Sequence, residues 1–189
     1  MKKLHSIKGI PLSYIQSILK IDLTSPSGLT WLPREGISRD TKSWNTKHAN
    51  KKAGNKHISI QRCLSWKIGF RYLGKYMGFK CSNIIFLLCN GYLTKGMLVQ
   101  HIDHNPFNNN PDNLRECTRS QNTQSNKLRK NNTSGHKGVY LTRDKLKWYV
   151  AIKLNGKAHY FGTYQNKEDA IKVSIEARKK LHGEFGRIK

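Results

Sequence analysis

The chain has 189 residues, enough for one domain or two small ones. Lys and Arg number 35 against 11 Asp and Glu, a formal net charge of +24. With 4 Trp, 8 Tyr and 6 Phe it can bury modest cores, which excludes a fully disordered polymer, and no apolar run nears the ~20 residues of a membrane span. The basic residues recur along the whole chain, and a compact fold with that excess repels itself unless a polyanion offsets it. Nucleic acid is the leading partner, ahead of an anionic membrane surface. Met1-Lys2-Lys3 begins like a signal n-region, but no apolar h-region follows, so a cytoplasmic protein is expected. Cys63, Cys81, Cys89 and Cys117 form no CxxC pair, which predicts four reduced thiols and no structural zinc.

In chain order, Leu12, Ile15, Ile18 and Leu19 make an apolar stripe at helical spacing behind Pro11. Ser25-Pro26-Ser27-Gly28 reads as a turn, and Leu29 to Leu32 as a short strand. Residues 33–57 are polar, with Trp44 as an isolated anchor. Ile58 to Leu73 predicts antiparallel strands, and Met77 to Leu88 is ambiguous between strand and helix. Residues 99–126 are dominated by Asn, Asp and His, and Asn105 to Asn110 are too rich in turn formers for regular structure. Thr118 suits the cap of a helix from Arg119 to Leu128. Lys127 to Ser134 reads as a basic linker.

The C-terminal segment has the clearest pattern. Lys137 to Leu141, Lys147 to Leu154 and Lys157 to Phe161 predict three strands, the last two joined by the hairpin signal Asn155-Gly156. From Lys167 to His182 the period becomes helical, with Ala170, Val173, Ala177 and Leu181 as the core stripe and Gly183 as the stop. The fold class expected is α+β, with a three-stranded antiparallel sheet packed on one helix at the C-terminal end.

His101-Ile102-Asp103, Asn105, Asn108-Asn109, Asp112-Asn113-Leu114-Arg115 and Ser120-Gln121-Asn122 stand in an ordered run. In this run the chain resembles the HNH homing-type endonucleases common in phage genomes, with upstream echoes at Ser27 to Trp31 and at Trp44-Asn45. The resemblance implies a ββα-metal nuclease module in residues 1–126, core motif 99–126, that hydrolyses DNA phosphodiester bonds with one divalent ion, Mg²⁺ or Mn²⁺. Carried over by motif, His101 is the general base, Asn113 the residue that braces the loop and orients His101, and Asn122 a metal ligand. The chemistry suits these types, since an imidazole near neutral pKa can take a water proton and a hard cation prefers oxygen donors.

The sequence departs from the pattern at Gln100, where many members carry the Asp that is the second metal ligand. The Gln100 amide oxygen can coordinate but is neutral, and strand alternation turns the nearest carboxylate, Asp103, to the other side. Cys81-Ser82-Asn83 replaces a frequent His-Arg pair. These departures keep a second possibility open, a DNA-binding protein with a degenerate nuclease fold. The Asn108 to Asn110 run is read as turn-building rather than ligating.

Residues 131–189 resemble an AP2-type DNA-binding domain, with 127–134 as the linker and 135–189 as the domain itself, through Asn131 to Gly135, Lys147-Trp148, Asn155-Gly156-Lys157, Phe161 to Tyr164 and Leu181 to Phe185. That resemblance implies a sheet laid in the major groove of double-stranded DNA, with Lys137, Tyr140, Arg143, Lys147, Lys153 and Tyr160 on the contact face. Ala151 and Ala158 stand where other members carry polar readers, so modest sequence specificity is expected. The protein is expected to act as a monomer, in the host-cell cytoplasm if phage-encoded.

Overall fold

The computed structural model describes residues 2–58 and 64–187. The chain divides into two compact units, Met1–Glu116 and Cys117–Lys189. None of the described helices is long and apolar enough to cross a membrane.

In the first unit, β1 (Lys3–Leu4) pairs with the later β9 (Leu93–Thr94). β2 (Ser6–Ile7) and β3 (Ile10–Pro11) form a hairpin across Lys8-Gly9, whose positive φ values (49° and 81°) match a two-residue turn twisted with its strands. Pro11 caps α1 (Leu12–Ile18), which buries Ile15. β4 (Leu19–Ile21) pairs with β5 (Leu29–Trp31). α2 (Arg39–His48) starts at Ser38, whose hydroxyl accepts from Thr41 N. It buries no residue, so no apolar stripe announced it in the sequence. Trp44, the isolated anchor of this polar stretch, meets Trp31 edge to face with ring centroids 5.7 Å apart, and the Arg34 guanidinium lies over its ring at 3.9 Å.

β6 (Asn55–Ile58), β7 (Leu64–Tyr72) and β8 (Lys75–Lys80) form a three-stranded antiparallel sheet. The ambiguous stretch from Met77 resolves into strand as far as Lys80 and then α3 (Cys81–Asn90), closed by Gly91 at φ 74°. Ile84, Ile85 and Leu87 of α3 are fully buried and share a core with Ile10, Ile15, Leu19, Leu29, Ile68 and Phe79. β10 (Leu98–His101) pairs with β11 (Leu114–Cys117) on the far side of the Asn-rich loop. Cys81, Cys89 and Cys117 carry free thiols, and burial pushes Cys81 up to about 12; Cys63 lies outside the described residues.

The second unit opens with α4 (Arg119–Gln124), fixed by a reciprocal capping box between Thr118 and Gln121. This helix is shorter than the expected 119–128. β12 (Val139–Leu141), β13 (Trp148–Leu154) and β14 (Lys157–Tyr164) form an antiparallel sheet in that order, with a register shift between Tyr149 and Ala151. α5 (Lys167–His182) packs on it. The expected stripe of α5 holds in part: Ala170 and Ala177 are buried and Val173 packs half-buried against the core, while Leu181 is half-buried and the buried row is completed by Ser174, Arg178 and His182. Close approach accounts for Ser174 in that row. The Ser174 hydroxyl donates to Lys137 O at 2.6 Å, and a Cβ on Gly138 would lie 3.0 Å from that hydroxyl.

Candidate active site

The loop between β10 and β11 is built by its own amides. Backbone N–H groups donate two residues back to side-chain oxygens, Asn105 to Asp103, Phe107 to Asn105, Asn110 to Asn108 and Asp112 to Asn110. Such Asx turns are what a run of Asn and Asp favours over strand or helix. Asn113 closes the loop at its waist. Its Oδ1 accepts from Asp103 N at 3.0 Å, and its Nδ2 donates to Asp103 Oδ1 at 2.9 Å and to Asn108 O at 2.8 Å. Burial works against the Asp103 charge, but hydrogen bonds from Asn105, Asn108 and Asn113 outweigh it and hold the carboxyl below its usual value. Asp103 is thereby a loop brace.

His101 ends β10 and is half-buried. Its Nε2 lies 2.9 Å from Asn109 Oδ1. Asn109 is 5% exposed, and its Nδ2 donates to Ser27 O at 2.8 Å, which fixes the amide so that its oxygen faces the ring. An acceptor at Nε2 places the proton there and leaves Nδ1 with the lone pair. Sequence reasoning gave Asn113 both the bracing of the loop and the orienting of His101, and counted Asn109 among the turn builders. The structure puts Asn109 on the imidazole and Asn113 on the loop backbone. Within an Asn-rich run nothing in sequence marks the one that burial selects. Ser27-Gly28 supplies the support: Gly28 has φ 79°, and a Cβ there would stand 2.7 Å from Ile85 Cδ1 and 3.2 Å from Asn109 Cβ.

Gln100 is buried beside His101, and its Oε1 accepts from Arg115 Nε at 3.3 Å. Asn122 lies on α4, in the second unit. Amide oxygens are hard neutral donors of the kind Mg²⁺ and Mn²⁺ accept, with the balance of charge left to a substrate phosphate. Gln100 and Asn122 each carry a donor of that type. No cluster of three or more His, Cys, Asp or Glu side chains is found among the described residues.

In the second unit, Tyr140 and Tyr149 pair across β12 and β13 and stack with centroids 5.2 Å apart. Lys147, Lys153 and Tyr160 are exposed, Tyr160 bonding to Thr163 through its hydroxyl, and Arg143 sits exposed in the turn before β13. Lys137 departs from this group. Its ammonium donates to Gln124 O and Asn126 O at the end of α4, which satisfies the carbonyls where that helix stops.

The chain is similar to several known proteins. Protein 3.8 of Escherichia phage T7 is 34% identical over 100 residues, which are 53% of this chain and 82% of that protein. The uncharacterized HNH endonuclease L560 of Acanthamoeba polyphaga mimivirus is 30% identical over 102 residues, 54% of this chain and 52% of its own length. The solved structure of DNA binding and cleavage by the HNH homing endonuclease I-HmuI is 17% identical, with a TM-score of 0.40 over 96% of this chain and 91% of that one. The segment holding the β10–β11 hairpin and the Asn-rich loop, residues 80–124, matches the HNH endonuclease family. The chain thus carries a segment similar to the HNH endonuclease family and aligns with a phage protein over most of that protein's length.

Proposed function

We propose that the protein is a DNA endonuclease that hydrolyses phosphodiester bonds. The observation that carries this reading is the held imidazole of His101, with Nε2 tied to Asn109 and Nδ1 left as the basic nitrogen. In this reading His101 Nδ1 takes the proton from the attacking water, Asn109 keeps the tautomer, and Asn113 with Asp103 keeps the loop that carries them. Gln100 and Asn122 would hold a Mg²⁺ or Mn²⁺ ion, whose chemistry is to offset charge on the phosphate and the leaving oxygen. Residues 1–126 form the nuclease region, 127–134 a basic linker on the phosphates, and 135–189 an AP2-type reader. The exposed Tyr140, Arg143, Lys147, Lys153 and Tyr160 support duplex DNA as its ligand. Tethering raises the effective concentration of the base near its target.

A second reading, binding without cleavage, is favoured by one feature, the neutral Gln100 engaged by Arg115. Supercoiled plasmid with Mg²⁺ or Mn²⁺ separates the two. Cleavage by the wild type, lost in His101→Ala and in EDTA, is the expected result. Intact plasmid in every lane, with DNA still retarded on a gel, would establish the binding-only reading.

A further inference from the structure

The second unit contains a cavity of about 670 Å³ whose lining includes Lys137, Lys153, Arg178 and His182 and no carboxylate. Two of these bases occupy the buried row of α5, where an apolar side chain is the usual occupant. Arg178 is 6% exposed and His182 7%. Arg178 Nη2 donates to Gln124 O at 3.1 Å, while its Nε has no hydrogen-bond partner among the described residues. His182 Nε2 lies 3.2 Å from Lys153 O, and its Nδ1 likewise has none among them. The end of α4 offers only carbonyl dipoles to Lys137 and Arg178, which offset a fraction of two full charges.

Buried cations that lack an anion are costly, and a buried N–H without an acceptor adds to that cost. A tetrahedral oxyanion removes both costs, since it presents several acceptors and at least one negative charge. We infer that this cavity is a phosphate-binding site, in which Arg178 and Lys137 converge on one phosphate group and His182, whose Nε2 donates to Lys153 O, joins them through Nδ1 when the bound anion protonates its ring. The group would be a phosphodiester of the DNA backbone or a free phosphate. The electrostatics agree: burial, then the nearby Arg178 and Arg187, bring Lys137 down to about 8, and burial, then Arg178, lowers His182. The inference stands apart from the nuclease reading, because it concerns binding in the second unit and is measured without cleavage.

The test is a titration of the full-length protein with inorganic phosphate at constant ionic strength, chloride replacing phosphate in the control, read by thermal unfolding. A saturable rise in Tm with phosphate and none with chloride is expected. Arg178→Met, folded by circular dichroism, should lose that rise. Should it not fold, the exposed rim variant Lys127→Gln/Lys153→Gln should weaken the half-saturation point by about tenfold, the size of one or two charge-assisted contacts. Equal responses to phosphate and chloride, or a saturable rise undiminished in these variants, would overturn the site. Added short duplex that abolishes the phosphate response identifies a backbone phosphodiester as the ligand. Independent, additive responses identify free phosphate.

Discussion

At the scale of single residues, the arrangement around His101 depends on an amide that can face only one way. Asn109→Ala removes the acceptor on Nε2 without touching the Asn113 waist of the loop. Cleavage is expected to fall about 10- to 100-fold, as for other side chains that orient a reacting imidazole, with the far-ultraviolet spectrum unchanged. Asn109→Asp makes a sharper test. A carboxylate on Nε2 favours the protonated ring, so the acid limb of the pH–rate profile should move to higher pH. Gly28→Ala acts on the same amide from behind. Its Cβ would press on Ile85 and Asn109 at a positive φ, which predicts a loss of about 1–3 kcal/mol in urea unfolding together with reduced cleavage.

Elements differ in how openly the sequence announces them. The β13–β14 hairpin was legible because Asn155-Gly156 adopts the two positive φ values, 49° and 84°, that its type favours. The limits of α5, Lys167 and His182, were legible from its period and its Gly183 stop, but its buried row only in part. A helix row that runs from Ala170 through Ser174 to Arg178 and His182 mixes types that hydropathy sorts to opposite sides. α2 was illegible because it buries no residue and rests on its cap and on Trp44. The expected length of α4 ignored what ends it, since Lys137 and Arg178 reach its last carbonyls from elements later in the chain.

That clamp has a measurable titration. Lys137 is near 8 in the folded unit against 10.5 when unconstrained. Above 10.5 both states are neutral. As pH falls through the window from 10.5 to about 8, the unfolded chain takes up a proton that the folded one does not, so stability is lost on the way down and is level below. The urea midpoint should therefore rise between pH 8 and pH 10, and Lys137→Met should flatten the rise.

On the scale of the whole molecule, +24 dominates. If Lys127, Arg129, Lys130, Arg143, Lys147 and Lys153 each neutralise a phosphate, log K against log salt should have a slope of about −5, and Lys147→Gln should lower its magnitude by about 0.9. Fluorescence anisotropy with labelled duplex measures both. A slope near zero would remove the phosphate backbone as the main partner of this charge.

The bond from Asn109 to Ser27 also bears on transplantation. The segment that matches the family, residues 80–124, contains His101, Asn109 and Asn113 but not Ser27. Grafted onto another scaffold, it would carry the motif with its amide free to swivel. An NH₂ group turned toward Nε2 would stabilise the opposite tautomer and cover the lone pair with a proton. A donor cassette for protein engineering therefore has to begin upstream of the turn at Ser27, however complete the shorter segment looks by alignment.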